Sequence, residues 1–376
     1  MEIVRHPGKC DHGWDEQLNA AQTEGGLCQS SYWARVIQRV DQAKPIYLSA
    51  KDGDRTVAQL LLFQKPPFDR QARRRVSKLK GLWRKQIDTL EFLDGPVLHG
   101  QGNAREILVG LLKWMERYAL VHGIGVVRSG GFAITSQTAQ LPEIRMTFKE
   151  FGYQSSLWAS LVIDLRVDEE SLWRGLDHAA RKCIKKCERE GVSVRRITDF
   201  QDYVENFHKP YALSKEAYGS TPSPLHVQQV MFEEDMKGYN AFFVAESQGG
   251  QVLATLGMYV FNGVATEMAS ALTPAAQQSK IPAQDILHWE MIKYARANGC
   301  HTFNLAGVAP EPRDAREAGI RRFKEKWGGR YVEYYRFEKV MWPWRILRRS
   351  ISFNNRITGV PSKAFRKFKT KSAIVR

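Results

Sequence analysis

The chain has 376 residues, enough for two domains of ordinary size, and its 43% hydrophobic and 26% charged content is a globular balance that excludes a disordered or fibrous polymer. No apolar run approaches the roughly 20 residues that a spanning helix needs, and Met1–Cys10 has no apolar signal core, so the chain is expected to stay in the cytoplasm. The formal net charge of +16 is unevenly placed and points to anionic partners: a phosphate-bearing substrate, RNA or an anionic membrane face.

In chain order, the first clear pattern is a hairpin. Leu48–Leu60 alternates around Gly53 as strand, turn, strand. A basic run follows, with nine Lys or Arg between Lys65 and Lys85 against Asp69. A helix then ends at Gly123, after Tyr118-Ala119, and a strand begins at Ile124.

The same order returns later. Val244–Leu256 is a hairpin that aligns Gly249 with Gly53, and Tyr294-Ala295 precedes Gly299 and a strand from His301. Two ordered matches point to an internal duplication. Gly249 follows Gly53 by 196 residues, but Gly299 follows Gly123 by 176. The first copy therefore carries 20 extra residues, and the basic run at 65–85 falls inside them. We read that run as an insertion.

The copies join near residue 160. Ser160–Leu165 reads as a strand and Asp168 as a helix N-cap, followed by one helix from Leu172 to Glu190. The expected domains are 1–160, 161–340 and a tail, 341–376. The tail holds ten Lys or Arg, no Asp or Glu, and Trp342, Trp344, Ile346, Leu347, Phe353 and Phe365. Basic residues mixed with aromatics suit an anionic membrane surface; a solvated cationic tail is the other reading. In each copy, hairpins, a helix and a further strand make a mixed α/β unit (α+β, with mixed sheets flanked by helices) that fits the GNAT acyltransferase fold.

Five cysteines, Cys10, Cys28, Cys183, Cys187 and Cys300, are odd in number and scattered, which argues against a disulfide framework. Cys183, Cys187 and His178 lack the compact four-ligand spacing of a zinc site and read as core residues; no metal is expected.

Three stretches carry candidate chemistry. The helix at 172–190 presents Arg181, Lys182, Lys185, Lys186 and Arg189 at three- and four-residue spacings, a face suited to a pyrophosphate or to solvent. Arg181 starts the cluster, and its guanidinium fork matches phosphate. Gly319–Gly329 places Phe323 and Trp327 four apart, with Lys324 beside them. A lysine held there could stabilise a developing oxyanion. Leu287–Ala295 offers Trp289 and Glu290, the latter a candidate proton acceptor or a paired surface carboxylate. Asn304 and Gly307 end the following strand, where open α/β sheets place a crevice. His288 is read as structural. Gln277–Gln284 has no glycine and makes a poor phosphate cradle, which argues against coenzyme A as donor. The chain has no G-x-S-x-G elbow, P-loop or H-E-x-x-H motif.

Together these stretches resemble the FemA/FemB/FemX family of peptidoglycan-bridge aminoacyltransferases. Arg181, Ile184 and Gly191-Val192 resemble its R-x-x-I-x-x-A-x-x-x-G-V helix, with Cys187 in place of alanine. Trp289-Glu290 with Gly299, Asn304–Val308 and Phe323-Lys324-x-x-Trp327-Gly328-Gly329 are similar to its later motifs. Gln29-Ser30 with Trp33, and Gly95-Pro96, are similar to its first-domain marks.

The resemblance covers about 28–335 and implies two tandem GNAT-like domains. It also implies transfer of an amino acid from aminoacyl-tRNA to an amine of a peptidoglycan precursor, with no tightly bound cofactor. By motif it makes Lys324 the functional lysine and has Arg181 help hold the precursor's phosphates; on the chemistry of the reaction, the base is Glu290 or a phosphate oxygen of the substrate itself. Arg181, Lys185, Phe323, Asn304, Gly307 and Trp289 would hold an anionic envelope precursor, one that a lipid-linked acceptor would bring to the inner face of the cell membrane. The long helical hairpin that some members insert has no counterpart. Acyl-CoA is the alternative donor, with an amino sugar or amino acid as acceptor. A non-catalytic RNA- or membrane-binding protein is the alternative of another class. DNA is not an expected partner.

Overall fold

The computed structural model describes residues 1–6, 13–21, 26–66, 88–100, 103–130, 142–217, 219–235 and 238–342. The basic run is described only at Lys65, and the tail only at Met341 and Trp342; the rest of both lies outside the described residues. Lys65 belongs to the sheet. It closes a strand, buried, with Asp41 at 3.0 Å and Glu91 at 3.6 Å.

The described residues form two units, one drawn from 1–130, 142–156 and 335–342, the other from 157–334. In the first, β1 (Glu2–His6), β2 (Lys44–Asp52), β3 (Arg55–Lys65) and β4 (Asp88–Leu93) pair antiparallel in that order. The short β5 (Val97–Leu98) pairs β3. Next comes β6 (Ile124–Gly130), parallel to β4. The helix between these parallel strands, Ala104–His122, starts at the Asn103 cap and stops at Gly123, whose φ of 66° is a left-handed turn that glycine takes without a Cβ penalty. Leu108, Leu111, Leu112 and Met115 line its buried face at helical spacing.

The second unit repeats this plan. β7 (Gln154–Asp164), β8 (Ser193–Arg196), β9 (Asn240–Glu246), β10 (Val252–Phe261), β11 (Val264–Leu272) and β12 (Thr302–Val308) form a sheet of order β7-β12-β11-β10-β9-β8. Only β11 and β12 are parallel there, and the helix Ala283–Ala297 joins them. Two residues, Asn262-Gly263, connect β10 to β11, whereas 66–87 connect β3 to β4. The extra length of the first copy falls in that one connection.

Two boundaries differ from the sequence reading. The last strand, β13 (Arg330–Val340), starts in the second unit, but its residues from Tyr335 belong to the first. Glu338–Val340 pair with β6, and Phe337 stacks on Phe148 at 3.9 Å. The helix expected from Leu172 to Glu190 is two, Glu169–Gly175 and His178–Arg189. Leu176 is extended between them, and Asp177 caps the second by accepting from the Ala179 amide at 2.7 Å. An acidic residue offers its own side chain to a helix start more readily than it sustains a helix interior.

Cys187 packs in the core of the second unit, where burial pushes its thiol up to about 12. Among the described residues, no helix is long and apolar enough to cross a membrane.

Candidate active site

The second unit's parallel strands stay together for only three residue pairs, Val264↔Thr302 to Thr266↔Asn304. Past that point β11 continues to Leu272 and β12 to Val308 without pairing each other. Parallel strands that diverge at their carboxyl ends open a crevice lined by backbone groups with no ladder partner. β12 also bulges here against β7, between Asn304 and Gly307, and Ala306 takes a φ of 58°. A bulge beside a site re-aims groups that a regular ladder would consume.

Lys324 fills this opening. It sits in the last turn of the helix Ala315–Glu325, only 8% exposed. Its Nζ donates to the carbonyl oxygens of Leu305, inside the bulge, and, at 3.3 Å, Gly307, at its end. An ammonium has three N–H donors, so two are directed at backbone. Asn304 is fully buried; its Oδ1 accepts from the Ala306 amide at 2.8 Å, holding the bulge, and its Nδ2 has no partner among the described residues.

Where the two strands part lies a buried pair that sequence reasoning missed. Glu267 is the first residue of β11 past the divergence, and it is buried. Its Oε2 lies 3.5 Å from Nε2 of His288, which is fully buried on the helix Ala283–Ala297. The His288 ring meets Phe323 edge-on and stacks on Trp327, each at 5.1 Å, so it touches both aromatics that flank Lys324. Burial raises the Glu267 carboxyl, but the Lys324 charge and the His288 contact outweigh it and hold the group below the usual carboxylate range. A lone Glu inside the apolar strand Val264–Leu272 was the available signal, because a strand buried on both faces rarely spends a position on a carboxylate without a partner.

The chain reaches this geometry through its glycines. Gly328 has a φ of 73°, and a Cβ there would lie 2.4 Å from the Gly175 carbonyl oxygen. A Cβ on Gly329 would lie 3.2 Å from the Val162 backbone. The Lys326 carbonyl accepts from the Asp177 amide at 2.8 Å, and Lys326 Nζ reaches Asp285 at 2.5 Å.

The other expected site residues do not all gather at Lys324. Phe323 lies beside Lys324 and touches His288, and Asn304 and Gly307 build the bulge. Trp289 is a core residue, packed on Trp173 at 5.2 Å. Arg181 uses Nη1 on the carbonyls of Leu176 and Arg174, at 2.6 and 3.0 Å, and closes the C-terminus of the preceding helix; the helix break creates those free carbonyls. Lys185 is exposed. Glu290 pairs with Lys293 one turn on, at 2.7 Å, with its side chain about one-third exposed; the buried carboxylate that the Lys324 charge favours in its ionised form is Glu267.

Residues 176–330 match the model of the acetyltransferase (GNAT) domain. The fold is that of tandem GNAT-like units, and the site lies at the diverging strands of the matched one: the class is an acyltransferase. Among solved structures the chain is similar to FemX, at 12% identity over 93% of this chain and 100% of the other, with a TM-score of 0.72. It is similar to a tandem GNAT protein from the clavulanic acid biosynthesis pathway, at 12% identity over 90% and 98%, with a TM-score of 0.56. It is also similar to L-PGS from Bacillus licheniformis, at 15% identity over 94% and 98%, with a TM-score of 0.52. A search of curated proteins found no match. The likeness to FemX agrees with the Fem-type resemblance of the motifs.

Proposed function

We propose that this chain transfers an aminoacyl group from aminoacyl-tRNA to an amine of a cell-envelope precursor such as a peptidoglycan stem peptide. The observation that carries the reading is Lys324, an ammonium buried where the parallel strands diverge and aimed by two backbone carbonyls. Moving an acyl group from an ester to an amine is downhill and needs no bound cofactor. The amine nitrogen attacks the ester carbonyl, a tetrahedral oxyanion forms, and the alcohol leaves with a proton while the nitrogen loses one. Two of Lys324's N–H groups are spent on Leu305 and Gly307, which fixes where the third points. A charge pre-aimed at a developing oxyanion lowers the barrier because it need not reorganise. The likeness to FemX supports the aminoacyl reading. The reaction belongs in the cytoplasm, where charged tRNA is found, and the basic aromatic tail suits docking at the inner membrane face.

The test offers purified protein a charged tRNA mixture or acyl-CoA, each with a lipid-linked peptidoglycan precursor, and follows labelled transfer. Transfer from charged tRNA is expected. Transfer from acyl-CoA alone would replace this donor with the alternative. Lys324→Ala should lower turnover about 10²–10³-fold with the thermal midpoint still that of a folded protein; unchanged turnover would remove Lys324 from the site.

A further inference from the structure

We infer, on the reading of the chain as an aminoacyltransferase, that the carboxylate of Glu267 and the side-chain amide oxygen of Gln284 form a buried subsite for the α-ammonium group of the aminoacyl donor.

An irregularity in β11 builds the subsite. In a regular strand Glu267 and Ser270, three residues apart, would face opposite sides. Here both reach the helix Ala283–Ala297: Glu267 at His288, and Ser270 through its Oγ, which accepts from Gln284 Nε2 at 3.0 Å. The pairing with β10 supplies the reason. Gly257 stands opposite Met268 and Thr255 opposite Ala271, so Ala269 and Ser270 face Leu256 alone, and Ala269 has a φ of 50°. A bulge of this kind turns one side chain to the face its neighbours leave.

The two acceptors are buried and open. Glu267 is 7% exposed and Gln284 8%. Glu267 Oε2 lies 3.5 Å from His288 Nε2, longer than a hydrogen bond. Among the described residues, neither that oxygen nor Gln284 Oε1 has a hydrogen-bond partner. Buried acceptors left open cost free energy that a donor recovers. The His288 ring stands between the two side chains. Its Nε2 is turned to Glu267, and its Nδ1 lies 2.7 Å from the Gln284 carbonyl oxygen. The same ring meets Phe323 and stacks on Trp327, so the subsite shares a wall with the segment that carries Lys324.

The chemistry of the opening selects the ligand. Both open atoms accept, and the Lys324 and Lys215 charges favour the ionised form of Glu267. A cation with several N–H donors satisfies such a place, and a plain acyl chain offers it nothing. In an aminoacyl ester the ammonium is carried by the carbon next to the carbonyl. Holding the ammonium against Glu267 therefore orients the carbonyl of the same small group.

The test uses two stable mimics of the charged end of tRNA: 3′-(L-alanylamino)-3′-deoxyadenosine, and its 3′-propionylamino counterpart, which keeps the size and lacks the amino group. Each is titrated into the full chain by calorimetry. The alanyl mimic should bind about 10–100-fold more tightly. Glu267→Gln, which keeps the shape and removes the charge, should bring the two affinities to within about threefold while the propionyl affinity holds. Glu267→Asp should restore part of the preference. The ratio of the two affinities is the readout, because a merely structural change weakens both mimics alike. If Glu267→Gln fails to fold, the ratio is read in Gln284→Leu, where it should fall about 3–10-fold. Equal affinities in wild type, no binding of either mimic at millimolar concentration, or a ratio that the folded variant leaves unchanged overturns the subsite. The donor assay answers separately. Transfer from charged tRNA with equal binding of the mimics keeps the aminoacyltransferase reading and removes the subsite. Transfer from acyl-CoA alone with the alanyl preference intact keeps the subsite and removes the tRNA donor.

Discussion

Asp94 shows how one residue's surroundings set its chemistry. It follows β4 with a φ of 50°, and Gly95 and a cis Gly95–Pro96 bond come next. Gly95 leaves room for Gln29, whose Nε2 would lie 2.8 Å from a Cβ there. Gln29 accepts from the Leu61 amide at 2.7 Å and donates to the Leu93 carbonyl, so it ties β3 to the end of β4. Burial pushes the Asp94 carboxyl up to about 7, against the lowering effects of the Cys28 thiol hydrogen bond and the Arg336 charge. An unfolded Asp loses its proton near pH 4. Between about pH 4 and 7 the folded chain therefore holds a proton that the unfolded chain has lost. The contribution is fully present below the unfolded value and fades as pH rises toward 7. Asp94→Asn keeps a neutral group at all pH, so its thermal midpoint should match wild type near pH 4 and exceed it at pH 8. A constant offset across that range would show that Asp94 is ionised throughout.

At the scale of elements, the helix that carries Lys324 depends on its start. Asp314 accepts from the Glu317 amide at 2.8 Å, and the Glu317 carboxylate returns to Arg313, 2.9 Å from its amide. This is a capping arrangement that satisfies amides the helix cannot bond internally. Asp314→Ala should cost about 1 kcal/mol in urea unfolding, and Asp314→Asn only a small part of that. Such caps and glycine stops were legible in the sequence because they act within four residues: the ends of the helices before Gly123 and Gly299 are cases. The break at Leu176–Asp177 was not legible. Apolar periodicity runs straight through it, and what decides it is the Asp177 cap, the Arg181 guanidinium on the freed carbonyls, and the Lys326 carbonyl from far along the chain.

At the scale of the whole molecule, the chain's last described strand completes the first unit. Phe337 and Met341 belong to that unit's core, and Lys339 reaches Glu116 at 2.5 Å. Losing a buried Phe alone costs roughly 3–5 kcal/mol. A chain ending at Tyr334 should therefore unfold at least about 6 °C below one ending at Trp342, measured by calorimetry. Equal midpoints would mean that β6 needs no partner there.

The sequence by itself determined the mixed α/β class, the duplicated hairpin-helix-strand order, the insertion in the first copy and the glycine-rich stretch around Lys324. All of these rest on alternation, turn chemistry or short spacing. Only the tertiary structure decided where β11 and β12 diverge, that Lys324 caps the carbonyls of a bulge, and that Glu267 is buried against His288 while Glu290 pairs with Lys293. The physical reason is that burial and charge pairing belong to residues brought together from different elements. Glu290 and Glu267 are the same side chain in the sequence, but one stands partly in solvent beside Lys293, and the other is buried against His288.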